Sequence, residues 1–449
     1  MSSTPLDLLL TGASVLTADP RRPLIENAWL GISHGRFTVL EAALSDTPPP
    51  VARRVVALDG RVITPGLVNV HTHTILSMVR GVAEDLGFAP AYTPGIPQGH
   101  MVTPDEAYAI SRLGALEALL FGSTLINDTY VHADIITPAM AEVGLRVWSC
   151  GRIHDVDFSG VSTGQWEHKD SIGDATLQAA LALAERYHGK SGGRIGVQLA
   201  AHAPDTCSSP FLKRIGEAAR ANGLRVTTHL SQSKVEVARI RERDRKSPPE
   251  LLDDVGLLTD TLLAVHCIHV GDSDIARIGR AGSNIAHIAK GNATGATIAP
   301  TTRLRAAGAH LALGTDNMHA DMVEVMRWAL AMGRIQQGAV TDDWQPATVF
   351  EMATTAGARA MGLENEIGSI ALGKRADLVA FDFRRPHLTP NVNPLGNLVH
   401  VAQGRDVEMV VVDGEIVVAD GQPTKVDAQA IRREADAAIR ALWTRARGG

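Results

Sequence analysis

His71-Thr72-His73 sets two imidazoles two residues apart in an apolar run. On a β-strand, side chains at i and i+2 project from one face, so the pair can reach a single metal ion. An isolated HxH carries little weight in a chain with 17 histidines. Position adds to it: His229 closes RVTTH, His266 closes LLAVH and Asp316 closes LALGTD, each where an apolar run gives way to a polar loop. Imidazoles with one carboxylate form a borderline-hard donor set that suits zinc, and also iron, cobalt or manganese. Such an ion lowers the pKa of a bound water toward about 7 and polarises an electrophile, which is hydrolytic chemistry. Asp316 is then the candidate base, and His266 the candidate group that orients the nucleophile or stabilises a tetrahedral intermediate.

Residues so far apart meet only if the fold gathers strand ends. Eight apolar runs alternate with amphipathic stretches: ITPGLVNVHTH, STLINDTY, VWSCGRI, IGVQLAAHA, RVTTHLSQ, LLAVHCIHV, NIAHIAKGN and HLALGTDN. Helices are expected after them, for example over residues 104–120 and 210–222. This is the α/β pattern of a closed (β/α)8 TIM-like barrel over residues 61–365, whose strand ends converge on one mouth. Residues 1–60 and 366–425 read instead as short strands and turns, with Asp413-Gly414 between two Val-rich runs as a tight hairpin requires. Residues 426–449 read as a helix with Ile431, Ile439, Leu442 and Trp443 near one face, docked on the body or on a neighbouring subunit. Loops 82–104 and 155–170 are the expected seats of specificity. The charged stretch VARIRERDRKSPPELLDD reads as a solvated helix stopped by Pro248-Pro249, with no functional role.

Lys plus Arg number 43 against 49 Asp plus Glu, a formal net charge of -6, so no basic excess recommends nucleic acid or an anionic membrane as partner. A small neutral or cationic molecule fits better. Cys150, Cys207 and Cys267 are far apart and lack CxxC spacing, which argues against a disulfide framework or a thiolate zinc site and for a reducing cytoplasm. The apolar run of residues 6–10 is short and carries Asp7, unlike a signal peptide, and no apolar stretch is long enough for a membrane span.

Over almost its whole length the sequence resembles the amidohydrolase superfamily, in the branch of S-adenosylhomocysteine, guanine and cytosine deaminases and triazine hydrolases. PGLVNVHTHT at 65–74 matches the first-strand metal motif and AHAPDTCS at 201–208 resembles the fourth-strand substrate motif. THL at 228–230, AVHCIH at 264–269 and LALGTDN at 311–317 match those of the fifth, sixth and eighth strands. The resemblance implies that His71, His73, His229 and Asp316 hold the metal, that His266 bonds the attacking water or substrate, and that His202 faces the substrate. IGVQLAAHA has no lysine to carbamylate, so one divalent ion per chain, zinc first, is expected. It also implies that the two flanking β segments pair into one small sandwich.

Deaminases of this branch usually carry glutamate three residues after the fifth-strand histidine, where this chain has Gln232. An amide hydrogen-bonds but does not shuttle a proton near neutrality, so Gln232 would orient substrate while Asp316, His202 or His319 moves the proton. The seventh-strand region, AHIAKGNATGATIAP, replaces the family's HxPxSN-like run but keeps His287 and Asn292 as substrate contacts. Lys290 is either a contact to a carbonyl or leaving group or a solvent-facing lysine. Beyond the eighth strand lie His319, Asp321 and Glu324, while Met322 and Met326 belong to the core. The expected activity is removal of an amino or alkylamino group from a purine, pterin, pyrimidine or triazine, by a homo-oligomer. A second reading replaces that leaving group by chloride, a thiolate or an amide nitrogen. A third, an inactive binding scaffold, predicts missing ligand positions, and all of them are filled.

Overall fold

Eight strand positions lie in parallel order: Leu67–Thr72, Ser123–Tyr130, Arg146–Ile153, a fourth broken into Ile195–Val197 and Leu199–Ala201, then Val226–Leu230, Leu262–His266, Asn284–His287 and His310–Leu313. They are the eight runs expected from sequence. This is a computed structural model, and it describes residues 5–44, 47–86, 93, 95–316 and 319–448. Of the loop expected at 82–104, residues 87–92 and 94 lie outside the described residues, as does Asn317. Nearly every strand residue is buried, because helices cover the outer face and side chains fill the inside.

Closure of the barrel also builds the site. Asp316 bridges the first strand at Thr72: its N–H donates to His71 O at 3.0 Å, and its carbonyl accepts from His73 N at 2.9 Å. Thr72 Oγ1 donates to the same carbonyl at 3.0 Å. One step earlier, the Asn69 amide and Thr315 exchange two further bonds, at 2.8 and 3.1 Å. The peptide that completes the barrel therefore seats Asp316 between the two histidines of HxH.

Two of the helices that follow barrel strands are capped by side chains. Thr103 and Glu106 cap Pro104–Leu120 reciprocally, with Pro104 in the first turn, where a missing N–H costs nothing. Asp321 caps Met322–Gln337 by accepting from the amides of Val323 and Glu324, and its other oxygen accepts from Gly404 N. That employs its carboxylate structurally. Met322 and Met326 are fully buried, as expected. The charged stretch departs from expectation in two ways. Pro248-Pro249 open a second helix, Pro248–Asp254, behind the Ser247 cap, and Lys234–Asp244 buries Glu236 and Ile240 rather than standing clear in solvent.

The terminal segments form one nine-stranded sheet. Arg61–Pro65 pairs antiparallel with Leu378–Asp382, joining the two halves just where the chain enters the barrel. Leu8, Leu30, Phe37 and Ile63 share a core with Leu378 and Val411, so the sheet folds over on itself. Its hairpin tips touch: Asp413 and Gly414 both take positive φ, and a Cβ on Gly414 would lie 2.9 Å from Gly35 Cα.

Arg146 locks this sheet to the barrel. Its guanidinium, 2 % exposed, makes a bidentate pair with Asp377 at 3.0 and 3.1 Å and reaches Asp413 at 2.6 Å. Arg146→Met would leave two carboxylates near a buried apolar stem, and a broken buried pair costs about 3–5 kcal/mol. The expected result is a clear drop in melting temperature with metal binding retained; an unchanged thermal scan would remove the lock.

The C-terminal helix, Ala428–Gly448, packs on Pro104–Leu120 of its own chain. Ile431 and Leu442 are buried, Trp443 Nε1 donates to Met78 O at 2.8 Å, and Arg445 forms a bidentate pair with Glu106 at 2.7 Å. Among the described residues no helix is long and apolar enough to cross a membrane.

Candidate active site

His71, His73 and His229 present nitrogens that all lie within 4.8 Å of one another, and all three are buried. Asp316 Oδ1 stands 3.5 Å from His71 Nε2 and 3.3 Å from His73 Nε2, and Oδ2 stands 3.9 Å from His266 Nε2. Tautomers follow from the partners. A carbonyl oxygen only accepts, so His73 Nδ1 donates to Thr129 O and His229 Nδ1 donates to His202 O, the latter at 2.7 Å. In a neutral ring Nε2 is then a bare lone pair. Burial above all holds His71 and His73 well below the usual imidazole range, and it lowers His229 too. Neutral rings are the form that binds metal.

Neither nitrogen of His71 has a hydrogen-bond partner among the described residues, and nor does Asp316 Oδ1. Buried polar atoms rarely go unsatisfied. A cation is what three convergent imidazoles and a carboxylate would satisfy, so this donor set fits one divalent ion.

The remaining expected residues surround this group unevenly. His266 closes its strand beside it; its ring lies 5.6 Å from that of His229, its Nδ1 bonds Asn292 Oδ1 at 3.0 Å, and burial pushes it down to about 3. His202 has its ring 5.1 Å from that of His229. The Thr206 hydroxyl donates to Ala203 O, so it accepts from His202 Nδ1 at 2.8 Å, leaving Nε2 as an acceptor. Gln232 follows the fifth strand half-buried, its backbone amide bonded to Glu236. His287 ends the seventh strand buried, and burial pushes it down to about 4. His319 is pushed down to about 4 by burial and then by Lys290. Lys290 itself pairs with Glu324 at 2.7 Å and is three-quarters buried, so it is not simply solvent-facing.

Several neighbours were not singled out in the sequence. Asp128, wholly buried, accepts from Thr74 N at 2.6 Å, and burial pushes its carboxyl up to about 6. With Thr129 it orients the residues around His73, and the polar end of STLINDTY was its only signal. Phe158, within the loop expected to carry specificity, meets the rings of His154 and His202 at 4.6 and 5.2 Å, and Arg152 stacks on it at 4.0 Å. Tyr130, 5.7 Å from the His73 ring, also lines a cavity of about 560 Å³ with Arg152, His154 and Arg186. Most of its lining comes from the helices Ala133–Glu142 and Asp170–Tyr187, and none from the three convergent histidines.

Known proteins resemble this chain in sequence and in fold. The amidohydrolase family model matches residues 62–417. A 5-methylthioadenosine/S-adenosylhomocysteine deaminase from Desulforudis audaxviator is 37% identical over 370 residues, 81% of this chain and 83% of that one. A 5'-deoxyadenosine deaminase from Methanosarcina barkeri is 31% identical over 415 residues, 91% and 92% of the two chains. Among solved structures, an adenosine deaminase from Xanthomonas campestris with bound zinc superposes with a TM-score of 0.88 at 26% identity, over 98% of this chain and 99% of that one. An atrazine chlorohydrolase from Arthrobacter aurescens complexed with zinc shares the fold at 20% identity, with a TM-score of 0.84 over 96% and 100%. The chain belongs to the amidohydrolase family, a metal-dependent hydrolase built on a (β/α)8 barrel.

Proposed function

We propose that this protein is an aminohydrolase that releases ammonia from an adenosine-type nucleoside or a related N-heterocycle. The observation that carries the proposal is the convergence of His71, His73 and His229, neutral and with bare nitrogens, on Asp316. Relatives named for deamination of 5'-deoxyadenosine and 5-methylthioadenosine support the substrate class.

One divalent ion per chain, zinc, would be held by His71, His73, His229 and Asp316, supplying a water nucleophile at neutral pH and a Lewis acid. Asp316 takes the proton that the water sheds as its oxygen bonds to the ring carbon. His266, whose Nδ1 donates to Asn292 Oδ1 and whose Nε2 is therefore an acceptor, orients the attacking water, and His202 and Gln232 hold the ring through hydrogen bonds. His287, Asn292 and His319 complete the contacts, with Asn292 also fixing the His266 ring. Asp316 passes its proton to the amino group, the carbon–nitrogen bond breaks and ammonia leaves, while the hydroxyl's remaining proton moves to the adjacent ring nitrogen, so the ring keeps a carbonyl and an N–H.

Gln232 favours a second reading, loss of chloride, a thiolate or an amide nitrogen, because such groups depend less on a carboxylic acid at that position. Elemental analysis paired with ammonia release over a heterocycle panel, before and after chelation, separates these. The expected result is about one metal per chain and ammonia release that stops on chelation and returns with metal. Metal without ammonia transfers the assignment to the other leaving groups, and a metal-free protein overturns it. Three buried free thiols support a reducing cytoplasm as the compartment. A homo-oligomer remains part of the proposal and is read by light scattering.

A further inference from the structure

Left-handed backbone at the barrel mouth includes Ser231 (φ 50°), His266 (φ 74°), Cys267 (φ 51°) and Asp316 (φ 64°). Side chains disfavour this region, and such residues persist where their surroundings impose it. For Asp316 the first strand does so. The other three share one clamp.

Glu236 is 2 % exposed and sits in the first turn of Lys234–Asp244, with its own amide bonded to Ser233 Oγ at 3.1 Å. Its carboxylate turns back over the preceding loop. Oε1 accepts from Ser231 N at 2.7 Å and Oε2 accepts from Gln232 N at 2.8 Å. The carbonyls of the same two peptides face the other way: Leu230 O accepts from Cys267 N at 3.0 Å, and Ser231 O accepts from His269 N at 2.9 Å. Two consecutive peptide units are therefore gripped at both ends, by Glu236 on one side and by the sixth-strand loop on the other. A glutamate that merely capped its helix would reach back to the N-cap amide, here Ser233. Glu236 passes over that residue to the two before it.

We propose that Glu236 is a positioning residue of the active site: by pinning the 230–231 and 231–232 peptides it sets the aim of Gln232 and, through Cys267 and His269, that of His266. Only the kinetic arm of its test rests on the proposed hydrolytic function. Glu236→Gln keeps the shape but turns an NH2 group toward one of the two N–H donors. Amide hydrogen exchange should accelerate together at 230–232 and 266–269, by roughly tenfold or more, with metal content unchanged. On a turned-over substrate, kcat should fall by roughly 10- to 100-fold with KM within about threefold, and the double variant with Gln232→Ala should lose less than the product of the single losses. Exchange that rises at 230–232 alone overturns the link to His266, and an unchanged kcat in the metal-loaded variant overturns the positioning role. If Glu236→Gln does not fold, Glu236→Asp is expected to show the same paired exchange with a smaller amplitude, and wild-type exchange at both turns would overturn the proposal. A wild-type protein inactive on every substrate would defeat the functional reading while leaving the exchange result to decide this one.

Discussion

Alanine at His71 is expected to leave a folded protein that no longer holds metal and no longer turns over substrate. His71 stands in the middle of the group, its ring 4.6 Å from that of His73 and 5.0 Å from that of His229, and it is 1 % exposed. Neither of its nitrogens is hydrogen-bonded within the described protein, so truncation breaks no internal bond. It leaves a small cavity and relieves the crowding of bare lone pairs. What it removes is a donor that nothing nearby can replace. Turnover should fall by roughly 10^4-fold or more, because without the ion water keeps its ordinary pKa of about 16. Stability provides an independent reading. An ion bound at 100 times its Kd stabilises the folded state by about 2.7 kcal/mol. The wild-type melting temperature should therefore drop on chelation, and that of His71→Ala should not respond. Full metal content with full turnover in this variant would remove His71 from the site.

The parts of this site legible in the sequence are those governed by short-range periodicity. A strand repeats every two residues, so HxH alone fixes two imidazoles on one face, and the apolar runs before His229, His266 and Asp316 mark strand ends without knowledge of any partner. The closed barrel was legible from its eight repeats, but the bonds that close it were not. That Asp316 would bond to both His71 and His73 depends on the stagger of eight strands around the barrel, which no local pattern records. Nor were the supporting carboxylates. Glu236 reads as one acid among many in a charged helix, and only its burial and its bonds to Ser231 and Gln232 distinguish it. Lys290 was ambiguous for the converse reason: its partner Glu324 is 34 residues away, and the ion pair exists only once the seventh and eighth strands lie side by side. The Arg146 lock has the same origin, since Asp377 is 231 residues distant. Strand periodicity and strand ends are readable from sequence, whereas the partner a buried side chain bonds, near or far, is fixed only once the fold has formed.

Asparagine at Asp316 should separate holding the metal from moving the proton, and this is the second large effect expected. The substitution keeps size and shape, and the backbone is fixed independently of the side chain by the bonds to His71 O and His73 N, so the barrel should close as before. What changes is charge and basicity. A neutral amide oxygen at the Asp316 position, 3.3 to 3.5 Å from the two Nε2 atoms, is a weaker metal donor and no proton acceptor near neutrality. Metal affinity should drop, and added zinc should restore full occupancy. If Asp316 is the base, kcat at full occupancy should still lie about 10^2- to 10^4-fold below wild type, the range a positioned base contributes. His71→Ala, by contrast, should gain nothing from added zinc. Recovery of the wild-type kcat by zinc alone would reduce Asp316 to a ligand and require another proton acceptor. His202, whose Nε2 is left as an acceptor by the Thr206 bond, would then take the proton, and His202→Asn would inherit the kcat loss predicted for Asp316→Asn.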